Sequence, residues 1–332
     1  MADFLRTSDF ERGQLEAIVT RALRIKSEVS TDQPLAGKSV GLVFFNPSLR
    51  TRASMQVGIY ELGGNPVILE PGSTSWTLEH RDGVVMDGNK TEHLKEFVRV
   101  LERYVSAIGV RTFAEMKDWE LERRDPILNA FAKYASVPII NLESAMHHPC
   151  QAMADMMTIR ENFGTEKKKV LLTWAWHPKP LPMAVPNSFA LAAAQFGHDL
   201  RIAHPKGYEL DDELVANIKS EAVQNGGSVV ITNEVDEAFD GVEVVYAKSY
   251  GSKNFYGNTE AEILQRAPHR RKWIIDKEKM ALTDDAIFMH CLPVRRNVIV
   301  TDNVIDSSNS VVIEEAENRL HVQKAILTEL MK

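Results

Sequence analysis

Ser48, Arg50, Thr51 and Arg52 place two hydroxyls and two guanidinium groups within five residues. Guanidinium forks and hydroxyls are the donors that a phosphate group takes best. The preceding apolar run, Val40 to Phe45, reads as a buried strand. Pro47 then offers a turn and Ser48 a helix N-cap, and Leu49 to Leu62 reads as the helix, stopped by Gly63-Gly64. A strand-to-helix turn exposes unpaired backbone N–H groups at the positive end of the helix dipole, where anions bind. An ordinary capped helix with solvated arginines is the plainer reading, and the density of donors argues against it.

Other chemistry-bearing residues follow predicted strands. Arg111 follows Ile108–Val110 and Glu143 follows Ile139–Leu142. His177 comes shortly after Leu171–Thr173, Lys248 after Val244–Ala247, and His290-Cys291-Leu292-Pro293 after Ile287-Phe288. Ligands of open α/β sheets bind along the carboxyl edge of the strands. Any one of these residues is well explained as a surface charge, but five on one edge indicate a shared site. His148-Pro149-Cys150-Gln151 opens another helix, with proline tolerated in the first turn. His148 reads equally as a donor to a carbonyl oxygen or as a histidine packed at a helix end, and the Gln151 side chain as a second donor. Cys150 and Cys291 show no Cys-x-x-Cys spacing, so they predict neither a metal site nor a disulfide framework and read as small linings. Trp76 in a polar loop needs something to cover it, its own domain or a second subunit, and Lys90-Thr91-Glu92 forms a similar loop.

The elements that must position these residues alternate along all 332 residues, a length sufficient for two domains. Strands are expected at 40–45, 66–69, 107–110 and 138–142, with helices at 9–30, 49–62, 92–104 and 126–134. The second half repeats the pattern, ending in an amphipathic helix at 315–331. The fold class is α/β with largely parallel sheets. The domain boundary is expected near His148, giving domains at 1–147 and 148–314, with the C-terminal helix 315–332 packing back on the first. A net charge of −7 argues against a nucleic-acid binder and for a basic pocket taking an anionic small molecule. No apolar run is long enough to span a bilayer, the first residues carry no signal-peptide pattern, and two cysteines suit a reducing cytoplasm.

Taken together these motifs resemble the aspartate/ornithine transcarbamylase superfamily over nearly the whole length. Ser48-Leu49-Arg50-Thr51-Arg52 looks like its S-x-R-T-R loop, His148-Pro149-Cys150-Gln151 like its H-P-x-Q motif, and His290-Cys291-Leu292-Pro293 like the H-C-L-P of the ornithine branch. Where ornithine enzymes carry D-x-x-x-S-M-G for a free α-ammonium, this chain reads Lys248-Ser249-Tyr250-Gly251-Ser252, which suits an acylated, neutral α-nitrogen. Phe44-Phe45-Asn46-Pro47, Met86-Asp87-Gly88, His177-Pro178-Lys179-Pro180 and Glu315-Ala316-Glu317-Asn318-Arg319 also resemble the N-acylornithine branch.

The resemblance implies two doubly wound domains, a carbamoyl phosphate-binding one followed by an N-acylornithine-binding one. It implies transfer of the carbamoyl group to the δ-amine of an N-acyl-L-ornithine in arginine biosynthesis, with no metal or cofactor. Arg50, His148, Gln151 and Cys291 are implied as catalytic. Ser48, Leu49, Thr51, Trp76, Arg111, Pro149, Cys150, Leu292 and Arg319 complete the carbamoyl phosphate set, and Glu143, His177, Lys248, Leu292 and Thr91 the acylornithine set. A cytoplasmic homotrimer with sites shared between subunits follows, with Trp76 inserted from a neighbour. In this branch acetyl-specific enzymes carry a glutamate, and succinyl-specific ones a proline, where this chain has Thr91. A glutamate would repel a succinyl carboxylate and Thr91 does not. The Glu143-to-His148 spacing and the Val185–Phe189 run point the same way, so the expectation is N-succinylornithine, with N-acetylornithine as the alternative. A nicotinamide oxidoreductase is disfavoured because no strand is followed by G-x-G-x-x-G. A catalytically silent, anion-binding homologue is the more distant alternative.

Overall fold

A computed structural model of the protein describes residues 3–28 and 32–332. Its helices and strands run α1 (Arg12–Ser27), β1 (Ser39–Phe44), α2 (Arg50–Glu61), β2 (Asn65–Leu69), β3 (Leu78–Glu79), β4 (Glu92–His93), α3 (Leu94–Leu101), β5 (Ala107–Arg111), α4 (Trp119–Glu122), α5 (Pro126–Tyr134) and β6 (Ile139–Glu143). They continue α6 (Pro149–Phe163), β7 (Lys169–Trp174), α7 (Ala184–Gln195), β8 (Asp199–Ala203), α8 (Asp212–Gln224), β9 (Ser228–Thr232), α9 (Val235–Phe239), β10 (Val244–Lys248), α10 (Thr259–Arg266), α11 (Lys277–Met280), β11 (Ile287–Met289), α12 (Asp302–Ile305) and α13 (Val312–Leu330).

Two parallel sheets result, ordered β2-β1-β5-β6 and β11-β10-β7-β8-β9. β1 shows why both faces are covered: Leu42 and Phe44 join one apolar cluster while Val43 joins another, with Phe97, Leu101 and Phe131 of α3 and α5. Glycine at 109 in the middle of β5 is dictated by packing. A Cβ there would lie 2.8 Å from Leu142 Cδ1 and 3.0 Å from Leu42 Cδ2. α6 leaves the first sheet and leads to the second, and every residue from Pro149 to Ile159 is buried. α13 packs on α1, α2 and α6. Asn318 Nδ2 donates to Thr158 Oγ1 (2.9 Å) of α6, and Lys26 Nζ of α1 donates to Asn318 Oδ1 (2.8 Å).

Helix starts differ from expectation: α3 and α13 begin at Leu94 and Val312 rather than at 92 and 315, and α1 and α2 differ in their caps. α1 begins at Arg12 behind a Glu11–Gln14 capping box, while Ser8 lies in a preceding 3₁₀ turn, Thr7–Asp9. The expected end of that helix at Ser30 lies outside the described residues. α2 begins at Arg50 with Leu49 at the cap position and no side-chain cap. Ser48 is one residue too early to serve, and its hydroxyl has no protein partner among the described residues.

Candidate active site

The carboxyl ends of β1, β5 and β6 from one sheet, and of β7 and β10 from the other, open onto one cleft of about 1010 Å³. The loop after β11 and Arg319 of α13 complete its lining. This is where open α/β sheets place ligands.

At the α2 end, the first-turn N–H groups of the helix have no carbonyl to bind, and the dipole makes that end positive. Thr51 Oγ1 accepts from Arg111 Nη1 (3.1 Å) and from Arg319 Nη2, so one buried hydroxyl spaces two guanidiniums from distant parts of the chain. Arg111 also lies over the Phe113 ring, 4.3 Å from its centroid, and Phe113 N donates to Asn46 Oδ1 (2.7 Å). Arg50 has no ion pair or hydrogen bond among the described residues, and burial, with Arg319 nearby, lowers its affinity for its proton. Arg52 behaves differently from expectation. Its Nη1 is 2.5 Å from Glu70 Oε1, so it ties α2 to the loop after β2, and Arg50, Arg111 and Arg319 are the other guanidiniums on that wall of the cleft.

The middle of the cleft is lined by His148, Gln151, Cys291 and Leu292. His148 N donates to Ser188 Oγ (2.7 Å), which pins the start of α6 to α7. Its ring is buried and neutral, because burial first, then Arg319, Arg111 and Lys248, hold its basicity well below that of a free imidazole. Its Nε2 is 3.4 Å from Glu143 Oε2 and its Nδ1 has no protein partner. Gln151 corrects the sequence expectation. Its Nε2 donates to Asp155 Oδ1 (2.7 Å) and Glu315 Oε1 (3.1 Å), so it presents an acceptor, Oε1, rather than a donor. Leu292 N donates to His290 Nδ1 (2.9 Å), and Leu292 sits at φ +52.

Glu143 stands at the junction of the two halves. Its backbone is at φ +148, held by a hydrogen bond from its N–H to Asn141 Oδ1 (3.0 Å), and β6 is bulged against β5 beside it. Its Oε2 is 2.6 Å from Arg111 Nη1. Beyond it lie His177, Lys248, Leu181, Val185, Arg295 and Ile299. His177 is neutral for the same reason as His148, with its Nδ1 2.8 Å from Lys179 O. Lys248 and Arg295 make no ion pair among the described residues. Arg295 escaped the sequence reading, although a cation two residues past the His290–Pro293 motif was a usable signal.

Four residues that the resemblance assigned do not line this chain's cleft. Cys150 faces the other way, its Sγ 3.6 Å from Asn141 O, and burial pushes its thiol up to about 12, so it is inert at neutral pH. Pro149 is buried beside it. Trp76, 65% exposed, and Thr91 are neighbours on a surface loop joined by the β3–β4 pair, where Thr91 N donates to Thr77 O (3.2 Å).

Comparison with known proteins accounts for this geometry. Residues 2–161 match the aspartate/ornithine carbamoyltransferase carbamoyl-P binding domain and residues 182–330 the Asp/Orn binding domain of the same family. The chain belongs to the aspartate/ornithine carbamoyltransferase family. Within it, the protein is a carbamoyltransferase acting on an N-acylated ornithine. It is 46% identical over 331 residues (98% of this chain, 96% of the relative) to the N-acetylornithine carbamoyltransferase of Xanthomonas axonopodis pv. citri. It is 40% identical over 321 residues (96% of each) to the N-succinylornithine carbamoyltransferase of Bacteroides thetaiotaomicron. Acetylornithine transcarbamylase complexed with acetylcitrulline superposes at a TM-score of 0.96, with 45% identity and 99% of both chains covered. So does a variant of N-acetyl-L-ornithine transcarbamylase with one glutamate replaced by serine, complexed with carbamyl phosphate and N-succinyl-L-norvaline, covering 99% of this chain and 100% of that one.

Proposed function

We propose that the cleft transfers the carbamoyl group of carbamoyl phosphate to the δ-amine of N-acetyl-L-ornithine, giving N-acetylcitrulline and phosphate. The observation that carries the reading is the set of cations without acidic partners, Arg50, Lys248 and Arg295, facing a single cleft of a protein of net charge −7. Phosphate sits at the start of α2 on Ser48, Arg50, Thr51, Arg111 and Arg319. The carbamoyl carbonyl lies between Arg50 and His148, and its amino group faces Gln151 Oε1 and the carbonyls of Cys291 and Leu292. In the transition state the carbonyl oxygen gains negative charge, and each donor fixed there contributes about 3 kcal/mol. The attacking amine must lose its proton, against an ordinary pKa of about 10. Burial and the cation cluster favour its neutral form. Positioning the two reactants supplies roughly 7–11 kcal/mol in favourable cases.

The acetyl choice revises the sequence preference for succinyl. The acyl end of the cleft is lined by Leu181, Pro182, Val185 and Ile299, an apolar wall that suits a methyl group, and N-acetylornithine carbamoyltransferases carry the higher identity, 46% against 40%. A second reading, N-succinylornithine, keeps one specific support. Thr91 carries no charge where a glutamate would repel the second carboxylate, and Arg295 offers that carboxylate a partner. Trp76 and Thr91 act in the cleft of a neighbouring subunit of a homotrimer on either reading. Competition between acetylornithine and succinylornithine at equal concentration decides between the two, with kcat/KM expected to favour acetyl. A preference for succinyl that Thr91→Glu reverses establishes the second reading instead. Arg50→Ala is the control: retained carbamoyl transfer in that variant rejects both.

A further inference from the structure

Behind the cleft, on the far side of Gln151, lie two carboxyl groups that the transfer reaction itself does not use. Asp155 comes one turn after Gln151 on α6, Glu315 comes from α13, and both are fully buried. Gln151 Nε2 donates to Asp155 Oδ1 (2.7 Å) and to Glu315 Oε1 (3.1 Å). Glu315 Oε2 accepts from His290 N (2.8 Å), in the turn that carries Cys291 and Leu292. Tyr246 of β10 and Cys291 face the pair from the second sheet and its loop, and Arg319, one turn beyond Glu315, is the nearest cation on α13.

The chemistry of this cluster is constrained. Two ionised carboxylates buried side by side repel and forfeit hydration, so a proton enters the pair. The Gln151 nitrogen donates to both carboxyls at once, which sets them side by side on a single amide. Burial raises both groups, Asp155 to about 7, in agreement with that count. A carboxamide has one donor end and one acceptor end. With the nitrogen of Gln151 committed to the two carboxyls, its oxygen is the end left toward the cleft, buried and without a protein partner. The reverse orientation would set an NH2 against the NH2 of a carbamoyl group, donor against donor.

We propose that Asp155 and Glu315 are positioning residues that hold one proton between them and fix the Gln151 amide, so that its oxygen accepts from the amino group of carbamoyl phosphate. The same pair joins α6, α13 and the turn after β11, so the acceptor is aligned with the Cys291 and Leu292 carbonyls by one hydrogen-bonded unit. The inference rests on the carbamoyl-transfer reading of the cleft.

A double-mutant cycle tests it on the full-length enzyme. Gln151→Ala lowers kcat about tenfold or more, and Asp155→Ala lowers kcat to a similar degree with the KM for acylornithine little changed. In the Gln151→Ala background Asp155→Ala costs nothing further in kcat. Multiplying losses overturn the proposal and leave the pair a purely structural role. Neutral isosteres decide the case if Asp155→Ala fails to fold. Asp155→Asn and Glu315→Gln each mimic the one-proton pair and keep kcat within about threefold, while the double variant loses at least about tenfold. Single isosteres as damaging as alanine overturn the one-proton arrangement. If Gln151→Ala leaves kcat intact while Arg50→Ala abolishes it, the positioning proposal falls and the reading of the cleft stands. If Arg50→Ala also leaves it intact, the reading itself falls.

Discussion

Asp125 shows how one side chain sets the shape of the active-site loop. It sits at φ +47, and its carboxyl accepts from Ser144 Oγ (2.8 Å), Ala145 N (2.8 Å) and Met146 N (3.2 Å). Those residues lie between Glu143 and His148, so the loop joining two cleft residues is clamped from outside. Burial outweighs these donors and pushes the Asp125 carboxyl up to about 6. A carboxyl raised above its unfolded value makes folding take up a proton, and the associated stability is lost as pH rises toward and through the folded pKa. Between pH 5 and 7 the melting temperature of Asp125→Asn is therefore expected to gain on that of the native protein. Parallel melting curves across that range would refute the shift. At this scale the Ser48 to Arg52 cluster was legible in the sequence because it is contiguous, and it lies on the cleft. The direction of the Gln151 amide was not, because its partners come from positions 155 and 315, and Arg52 was misread because Glu70 neutralises it.

Elements that rest on apolar runs were readable along the chain. Each strand of the first sheet falls within two residues at either end of its expected span, because β1, β5 and β6 are buried, mostly apolar segments bounded by polar turns. Short helices such as α4, α10 and α11 were not read. Their starts depend on single side chains, Asp118, Asn258 and Asp276, rather than on any apolar period. The β3–β4 pair, two residues per strand, leaves no periodic signal at all. The first sheet carries a prediction of its own. Gly109→Ala would drive a methyl into Leu142 and Leu42, and it should destabilise the protein by about 1–3 kcal/mol in denaturant unfolding. An unchanged midpoint would show that β5 and β6 can separate to admit it. Because Arg111 and Glu143 end those same two strands, the variant should also raise the KM for carbamoyl phosphate.

At the scale of the whole molecule, the cleft gathers cationic groups in a protein that is acidic overall, which favours entry of small anions. The surface loop bearing Trp76 and Thr91 cannot serve its own chain's cleft as folded. If it serves a neighbour's, Arg50→Ala and Trp76→Ala subunits, each inactive alone, should regain roughly a quarter of native activity when co-assembled, from random pairing of one intact donor with one intact acceptor. No recovery in mixed oligomers would place Trp76 outside the site. The alternation of elements made both halves legible from sequence, whereas the return of α13 to α1, α2 and α6 involved pairings nearly 300 positions apart, Lys26 with Asn318 among them.

That return has a consequence for synthesis. α13 brings Arg319 to Thr51 at the start of α2 and Glu315 to Gln151, and it follows every strand of both sheets in the chain. A chain interrupted before Val312 would carry every strand of both sheets but neither of those side chains.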